Sequence, residues 1–189
     1  MFAAAAVLDP DKPVRGLRDS KELDAETREM LAERIKERTL CWAVAAADAF
    51  EIDRINILQA SRLAMRRAIE KLSPRCDYLL IDAVTVDLSL PQEPLIGGDA
   101  RCQCIAAASI LAKTARDECM RRWDTVFPEF GLARNKGYGT EEHYAALRQH
   151  GPTTLHRFSF EPVRQSCQLD LWSGYDGVSA GGASLNATA

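Results

Sequence analysis

Apolar residues along this chain fall into short runs and longer helical stripes, which predicts an alternation of strands and helices. The apolar run at residues 1–8 predicts a buried strand, and residues 40–47 predict a second one. A short run at 78–81 predicts a third strand, which brings Asp82 to its carboxyl end. This order of elements is typical of an α/β fold.

Polar caps and apolar stripes predict the helices between and after these strands. Asp24 is placed to cap a first helix, and Asp48 a second helix that Asn56 can divide. A longer helix, rich in small residues, is predicted from about residue 102 to residue 126, because Pro128 stops it.

The remaining segments are rich in residues that favour turns. Residues 84–98 predict a loop or a short edge strand, and residues 131–139 predict a loop before a short helix capped by Thr140. Residues 171–189, rich in Gly, Ser and Ala, predict a disordered tail. One domain over residues 1–170 is therefore expected.

Composition argues against a membrane protein and against a zinc-binding or disulfide-rich protein. No run approaches the roughly 20 apolar residues that cross a bilayer, so we expect a cytoplasmic protein with no membrane association. Of the six cysteines only Cys102 and Cys104 are close, and one intervening residue is fewer than zinc motifs use. We expect reduced thiols that pack as small hydrophobes.

Charge is unevenly distributed along the chain. The formal net charge of −3 argues against a nucleic-acid partner. Residues 101–164, however, carry ten Lys and Arg against seven Asp and Glu, whereas residues 1–100 are acidic. A phosphate-bearing partner would meet a local basic face, although an ordinary mixed surface would give the same counts.

Asp82 and Asp99 are the candidate metal ligands. An aspartate after a strand is often only a turn former. Ligand sites of α/β sheets, however, lie beyond the carboxyl ends of strands, and Asp99 precedes the next helix, so the two carboxylates could converge. Paired carboxylates supply the oxygen ligands that Mg²⁺ and Mn²⁺ prefer. Two such ions about 4 Å apart activate water and stabilise the leaving oxygen of a phosphodiester.

Basic and aromatic residues later in the chain are candidates for substrate contact. Lys113 and Arg116 follow on the long helix. The segment Lys136-Gly137-Tyr138 combines a cation, a flexible backbone and an aromatic ring that can stack on a sugar or base. An ordinary loop before a helix cap would use the same residues.

The three histidines carry a weaker signal. His156 and its neighbour Arg157 could contact phosphates, but a surface histidine is an equal alternative at that position. His143 and His150 are predicted to lie on a solvated helix face.

Together these segments resemble ribonuclease HII, the type 2 ribonuclease H, in order and at the family's spacing from about residue 3 to residue 164. The segments that carry the resemblance are Ala4 to Pro10, Asp19-Ser20-Lys21, Glu51 to Ala60, Leu80-Ile81-Asp82, Gly98-Asp99, Ala106 to Lys113, Lys136 to Thr140, and His156 to Phe160.

The resemblance implies a ribonuclease H-like fold, with a mixed five-stranded sheet flanked by helices and a helical C-terminal portion. It implies endonucleolytic cleavage of RNA in RNA–DNA hybrids and at single ribonucleotides in DNA. Asp82 and Asp99 match two of four carboxylates that hold divalent Mn²⁺ or Mg²⁺. Tyr138 matches the tyrosine that recognises the RNA–DNA junction through the 2′-hydroxyl.

Further substrate-binding residues are implied at basic positions of the matching motifs. They are Lys21, Lys113, Lys136, His156 and Arg157. A monomer is expected.

Two departures from the family pattern change these expectations. Asp82 is followed by Ala83, where the family usually has glycine. The family's central first strand, with its Asp-Glu pair and Gly-Arg-Gly, would lie upstream of Met1. With two carboxylates opposite two divalent ions, we expect poor metal binding and little cleavage. The alternatives are a start assigned too late, a non-catalytic hybrid-binding module and an inactive remnant.

Overall fold

The computed structural model describes residues 1–172, whose elements alternate as in an α/β protein. The strands are β1 (Phe2–Leu8), β2 (Thr39–Ala46), β3 (Leu79–Asp82) and β4 (Gln92–Leu95). The helices are α1 (Ala25–Arg38), α2 (Ala49–Glu70), α3 (Gly98–Arg101), α4 (Gln103–Asp124), α5 (Leu132–Asn135), α6 (Glu141–His150) and α7 (Glu161–Trp172). A 3₁₀ turn spans Pro128–Phe130.

One pair of strands is antiparallel and the other pair is parallel. β1 runs antiparallel to β2, with Phe2 opposite Ala46 and an irregularity between Val7 and Leu8. β3 runs parallel to β4, with Asp82 opposite Leu95. Within residues 1–172 these pairs form two separate two-stranded sheets. The predicted fold class is confirmed, with the strands divided between two sheets.

Alternation along β1 sends its small side chains to two different helical layers. Ala4 and Ala6 pack on the cluster that α1 and α4 build around Ile35 and Ile110. Ala3, on the opposite face, packs against the alanines of α2. Because alanine side chains are short, the helices approach the strand closely on both faces.

Three helices begin directly after the polar residues that are predicted to cap them. Asp24 accepts a hydrogen bond from the Thr27 N–H, and Thr140 accepts one from the His143 N–H. Asp48 forms a capping box with Glu51, in which each side chain accepts from the other residue's backbone N–H. These three predicted caps are confirmed.

Asn56 divides α2, as predicted, because its φ of 68° and ψ of 165° are not helical. Its side chain accepts hydrogen bonds from the N–H groups of Leu58 and Gln59, at 3.0 and 3.1 Å. Asn56 therefore caps the second half of the helix.

Several predicted boundaries were wrong. Residues 131–139 do not form a simple loop, because Leu132–Asn135 make one helical turn between left-handed residues Gly131 and Lys136. The long helix is shorter than predicted and is preceded by a separate turn, because Cys102 has extended backbone. Helix α7 spans Glu161–Trp172, and the predicted domain boundary at residue 170 stays a prediction. The predicted tail beyond Trp172 lies outside the described residues.

None of the helices in the described part of the chain is long and apolar enough to cross a membrane.

Candidate metal and nucleic-acid site

Strand β3 and the turn before α3 bring Asp82 next to Asp99. Asp82 is the last residue of β3, and its Oδ1 accepts a hydrogen bond of 3.0 Å from the Gly98 N–H. A Cβ on Gly98 would lie 2.6 Å from Ile105 Cδ1 and 3.4 Å from Asp82 Oδ1. Only glycine lets the backbone approach this closely, so Gly98 holds the first carboxylate beside the residue that bears the second.

Ala83 stands in the turn directly behind Asp82. Its φ of 59° lies in the left-handed region, and its N–H donates to the Leu95 carbonyl at 3.0 Å. An alanine in this conformation is strained by its Cβ. The departure from the family's glycine therefore has a structural consequence directly after Asp82.

Asp99 lies in a partly enclosed position beside one lysine. Its side chain is 13% exposed, and Lys21 Nζ lies 4.0 Å from its Oδ2. The loop that carries Lys21 turns through Asp19, whose Oδ1 accepts from the Lys21 N–H at 2.9 Å. Lys21 therefore lies beside Asp99, and Asp82 bonds the residue that precedes Asp99. That Asp82 and Asp99 converge on a metal ion stays a prediction.

The chemistry of these donors fits a divalent cation. Carboxylate oxygens are hard ligands. Asp82 ends β3, and Asp99 lies in α3, which follows β4. Within residues 1–172, however, no group of three or more His, Cys, Asp or Glu side chains is placed to hold a metal ion. Asp82 and Asp99 therefore stay candidate metal ligands.

Tyr138 lies over two cations of α4. Arg116 Cζ is 4.6 Å and Lys113 Nζ is 5.6 Å from the centroid of its ring. The tyrosine remains 58% exposed. The sequence predicted these residues separately, and the structure brings them together as one aromatic and basic surface.

Asn135, which sequence reasoning missed, sets the shape of the loop before Tyr138. Its Nδ2 donates to the Phe130 carbonyl at 2.6 Å, and its Oδ1 accepts from the Gly137 N–H at 2.8 Å. Lys136 and Gly137 then take positive φ values of 52° and 72°. An asparagine directly before Lys-Gly was the available signal, since asparagine often bonds the backbone of a turn.

Lys136 does not face the Tyr138 ring. Its Nζ donates to the carbonyl oxygen of Ala133 in the single helical turn α5. The charge therefore lies against the carbonyl end of a helical turn, where a cation is stabilised.

His156 is enclosed by protein, contrary to the idea that it contacts phosphates from the surface. It is 8% exposed, and its Nδ1 accepts from the Thr153 N–H at 3.0 Å. Its ring lies 4.9 Å from that of Phe130 and 5.3 Å from that of His143. Burial, assisted by the neighbouring His143, lowers the pKa of His156 to about 4.

The prediction for His143 was wrong, and the one for His150 is confirmed. His143 is buried against Phe130, and burial lowers its pKa, whereas His150 is exposed. His143 lies on the buried face of α6, because its ring packs with those of Phe130 and His156 in an aromatic cluster.

Asp53, a second missed residue, ties the segment that carries Arg157 to helix α2. Its carboxylate accepts from the Phe158 N–H at 2.6 Å, and from the Ser159 N–H and Oγ at 3.1 and 2.5 Å. Burial raises the pKa of Asp53, but these hydrogen bonds lower it more, so the net pKa lies below its ordinary value. Arg157 then lies over the Phe160 ring, 5.0 Å from its centroid.

The six cysteines are free thiols, as predicted. The sulfur atoms of Cys102 and Cys104 are 3.2 Å apart. Burial and the neighbouring thiol raise the pKa of Cys104 to about 12, so this thiol is neutral and unreactive as a nucleophile at pH 7.

Comparison with known proteins gives consistent results for sequence and fold. A family model described as Ribonuclease HII matches residues 1–163. A protein from Solibacter usitatus named Ribonuclease HII is 61% identical over 171 residues, which cover 90% of this chain and 75% of that protein.

Two solved structures share the fold at lower sequence identity. The ribonuclease H2 from Pyrococcus horikoshii OT3 superposes with a TM-score of 0.76 at 20% identity, covering 90% of this chain and 91% of that one. Bst-RNase HIII in complex with Mn²⁺ superposes with a TM-score of 0.65 at 19% identity, covering 89% and 64%. At these identities the superpositions concern the fold.

Proposed function

The chain belongs to the ribonuclease HII family, as its motifs predicted, and on this premise we propose that it binds nucleic acid containing ribonucleotides and hydrolyses it with divalent metal ions. The substrates are RNA–DNA hybrid duplexes and DNA with embedded ribonucleotides. The bond that breaks is a phosphodiester of the ribonucleotide strand.

The observation that carries this proposal is the hydrogen bond between Gly98 and Asp82. It joins the end of β3 to the turn that bears Asp99, so two hard carboxylate donors share one edge. Lys21 lies within 4.0 Å of the second carboxylate. A cation site beside a basic side chain suits a phosphate group, whose oxygens can bind both.

Each residue of the site has a proposed task. Asp82 and Asp99 hold the metal, and Gly98 orients Asp82 through its N–H. Tyr138, supported by Lys113 and Arg116, contacts the sugar at the ribonucleotide. A divalent ion held there supplies Lewis-acid stabilisation of the charge that develops on the phosphodiester oxygens. The Mn²⁺ complex of the structurally similar Bst-RNase HIII supports Mn²⁺ as an ion to test.

The remaining predicted substrate residues divide between contact and support. We propose phosphate contact for Lys21 and for Arg157, which Asp53 holds in place through the adjacent backbone. We propose that His156 supports the fold from within its aromatic cluster, and that Lys136 shapes the loop before Tyr138.

A second candidate function is supported by the small number of carboxylates. Because two acidic ligands give −2 opposite two divalent ions, the described residues would bind metal weakly. A chain that keeps the basic and aromatic surface could bind hybrid duplex without cutting it efficiently. Binding would then be salt-dependent and independent of metal.

One experiment separates these functions. Binding and cleavage are measured for an RNA–DNA hybrid, a DNA duplex with one ribonucleotide and an all-DNA duplex, with and without Mn²⁺. The proposal predicts tighter binding of the two ribonucleotide substrates and Mn²⁺-dependent cleavage that Asp82→Asn and Asp99→Asn both abolish. The matched control is Asp87→Asn, since its side chain is fully exposed on the loop after β3.

Thermal shift with Mn²⁺ gives a readout that does not depend on turnover. If the chain is a metal-dependent hydrolase, Mn²⁺ should raise the Tm of the unsubstituted chain and of Asp87→Asn, and should leave the Tm of Asp82→Asn unchanged. If the chain is a binding module, Mn²⁺ should leave all three Tm values unchanged. Selective binding without cleavage would favour the binding module, and equal affinity for all three duplexes would contradict both functions.

A further inference from the structure

A single buried carboxylate on α4, Asp117, lies among three cations. Its side chain is 9% exposed. Lys113 Nζ lies 2.7 Å from its Oδ1, Arg116 Nη1 lies 3.7 Å from the same oxygen, and Arg28 Nη2 lies 3.7 Å from Oδ2. None of the proposed steps of hydrolysis uses this carboxylate.

Two of the three cations are those beneath Tyr138. Arg116 Nη1 is fully buried and makes no hydrogen bond within residues 1–172, and it forms an ion pair with Asp117 at 3.7 Å. Lys113, one turn before Asp117 on the same helix, donates a hydrogen bond to it. The carboxylate therefore holds both cations against the face of the aromatic ring, an arrangement that favours cation–π contact.

The third cation connects Asp117 to the loop that carries Lys21. Arg28 Nη1 donates to the carbonyl oxygens of Ser20 and Leu23 at 2.7 and 3.0 Å. The same loop is joined to α4 by the pair of hydroxyls of Ser20 and Ser109, 2.9 Å apart. The position of Lys21 next to Asp99 thus depends on an arginine whose charge is balanced by Asp117.

We propose that Asp117 is a positioning residue for nucleic-acid binding. It fixes Lys113 and Arg116 beneath Tyr138 and, through Arg28, the loop that presents Lys21 to the metal-binding edge. Through these contacts Asp117 connects the aromatic and basic surface around Tyr138 to the site of Asp82 and Asp99. The inference rests on the proposed function for the identity of the ligand, and on the contacts of Asp117 for everything else.

Positioning and simple electrostatics predict opposite effects of neutralising Asp117. If its charge only opposed nearby phosphates, removing that charge would tighten binding of a polyanion. If it positions the cations, Asp117→Asn weakens binding, although the protein becomes more positive. Glu118→Gln is the matched control, because it makes the same charge change one residue later on α4, at a side chain that is 49% exposed.

The affinity experiment uses fluorescence anisotropy with a labelled RNA–DNA hybrid in metal-free buffer. Asp117→Asn should bind roughly tenfold more weakly than the unsubstituted chain. Glu118→Gln should bind equally well or slightly more tightly. Asp117→Glu keeps the charge and should recover part of the affinity. It also serves as the test variant if the asparagine variant does not fold.

A second measurement tests the geometry without any nucleic acid. Acetylation of lysines by acetic anhydride is followed by mass spectrometry, with the exposed Lys12 as internal reference. Lys113 should react several-fold faster in Asp117→Asn than in Glu118→Gln, because its ammonium loses a buried partner. Amide hydrogen exchange across residues 19–23 should rise, and exchange across β3 should not.

The outcomes separate this inference from the proposed function. Hybrid binding by Asp117→Asn that equals or exceeds that of the control overturns the positioning role, as does unchanged acetylation of Lys113. If the unsubstituted chain binds no hybrid, the proposed function fails. Faster acetylation with faster exchange at residues 19–23 would still support Asp117 as the residue that holds both groups.

Discussion

At the scale of single residues, the site combines favourable contacts with local strain. Asp82 receives a backbone hydrogen bond from Gly98, while Ala83 directly behind it adopts a left-handed conformation. For residues other than glycine, such a conformation costs about 1–2 kcal/mol. The turn behind Asp82, the first proposed metal ligand, therefore opposes the backbone preference of Ala83.

Replacing Ala83 by glycine should relieve this strain. We expect Ala83→Gly to raise the free energy of unfolding by about 0.5–1 kcal/mol, since the removed Cβ strain exceeds the entropy cost of glycine. Ala145→Gly, at an exposed position within α6, should instead lower it by about 1 kcal/mol. Urea unfolding measures both, and a destabilised Ala83→Gly variant would show that Ala83 is not strained.

His156 predicts how the protein responds to acid. Its pKa is about 4 in the folded state, while the unfolded chain binds the proton at the ordinary value of 6.5. The unfolded state therefore takes up more protons, and stability present above pH 6.5 falls as the pH drops toward about 4. This residue can account for at most about 3 kcal/mol of the loss.

Unfolding free energies at a series of pH values test this expectation. The slope between pH 6.5 and pH 4 should become shallower in His156→Gln, because the buried imidazole is gone. His150→Gln removes an exposed histidine from α6 and should leave the slope unchanged. Equal slopes in all three proteins would contradict the burial of a neutral His156.

At the scale of elements, the capping residues and the spacing of apolar residues predicted where the longer helices lie. Asp24, Asp48 and Thr140 act through hydrogen bonds to residues three positions away, so local sequence is enough to predict them. The short helix after Gly131 was missed because four residues contain too few positions to show a helical period.

Asn56 allows a test of the kink that divides helix α2. Asn56→Ala should lower the unfolding free energy by about 1–2 kcal/mol, because it loses the cap and keeps a strained backbone. Asn56→Gly loses the same cap but tolerates the positive φ, so it should be the less destabilised variant. If alanine were tolerated better than glycine, the kink would not persist in solution.

At the scale of the whole molecule, contacts between distant segments assemble the site. Asp53 at the start of α2 binds the backbone of residues more than a hundred positions later. Arg28 similarly connects α1, the loop of Lys21 and Asp117 on α4. The long helix α4 also packs along β1. It therefore connects the sheet of β1 and β2 to the site of Asp82 and Asp99.

Loss of the contact between Asp53 and Ser159 should loosen the segment that carries Arg157. We expect Asp53→Ala to lower the unfolding free energy by about 1–3 kcal/mol, because two backbone N–H groups lose a charged acceptor. Hydrogen exchange should rise at Phe158 and Ser159. Asp77→Ala, at an exposed position, is the control. Unchanged exchange at these two amides would show that another group holds the segment.

The sequence by itself determined the alternation of strands and helices, their caps and the family, since these depend on residue periods and ordered motifs. It also identified Asp82, Asp99 and Tyr138 as candidates for the site. Only the tertiary structure decided that His143 and His156 are buried, that Lys136 turns toward α5, and that Asp117 lies among three cations. Burial and charge pairing depend on which distant segments meet, and no local pattern encodes that meeting.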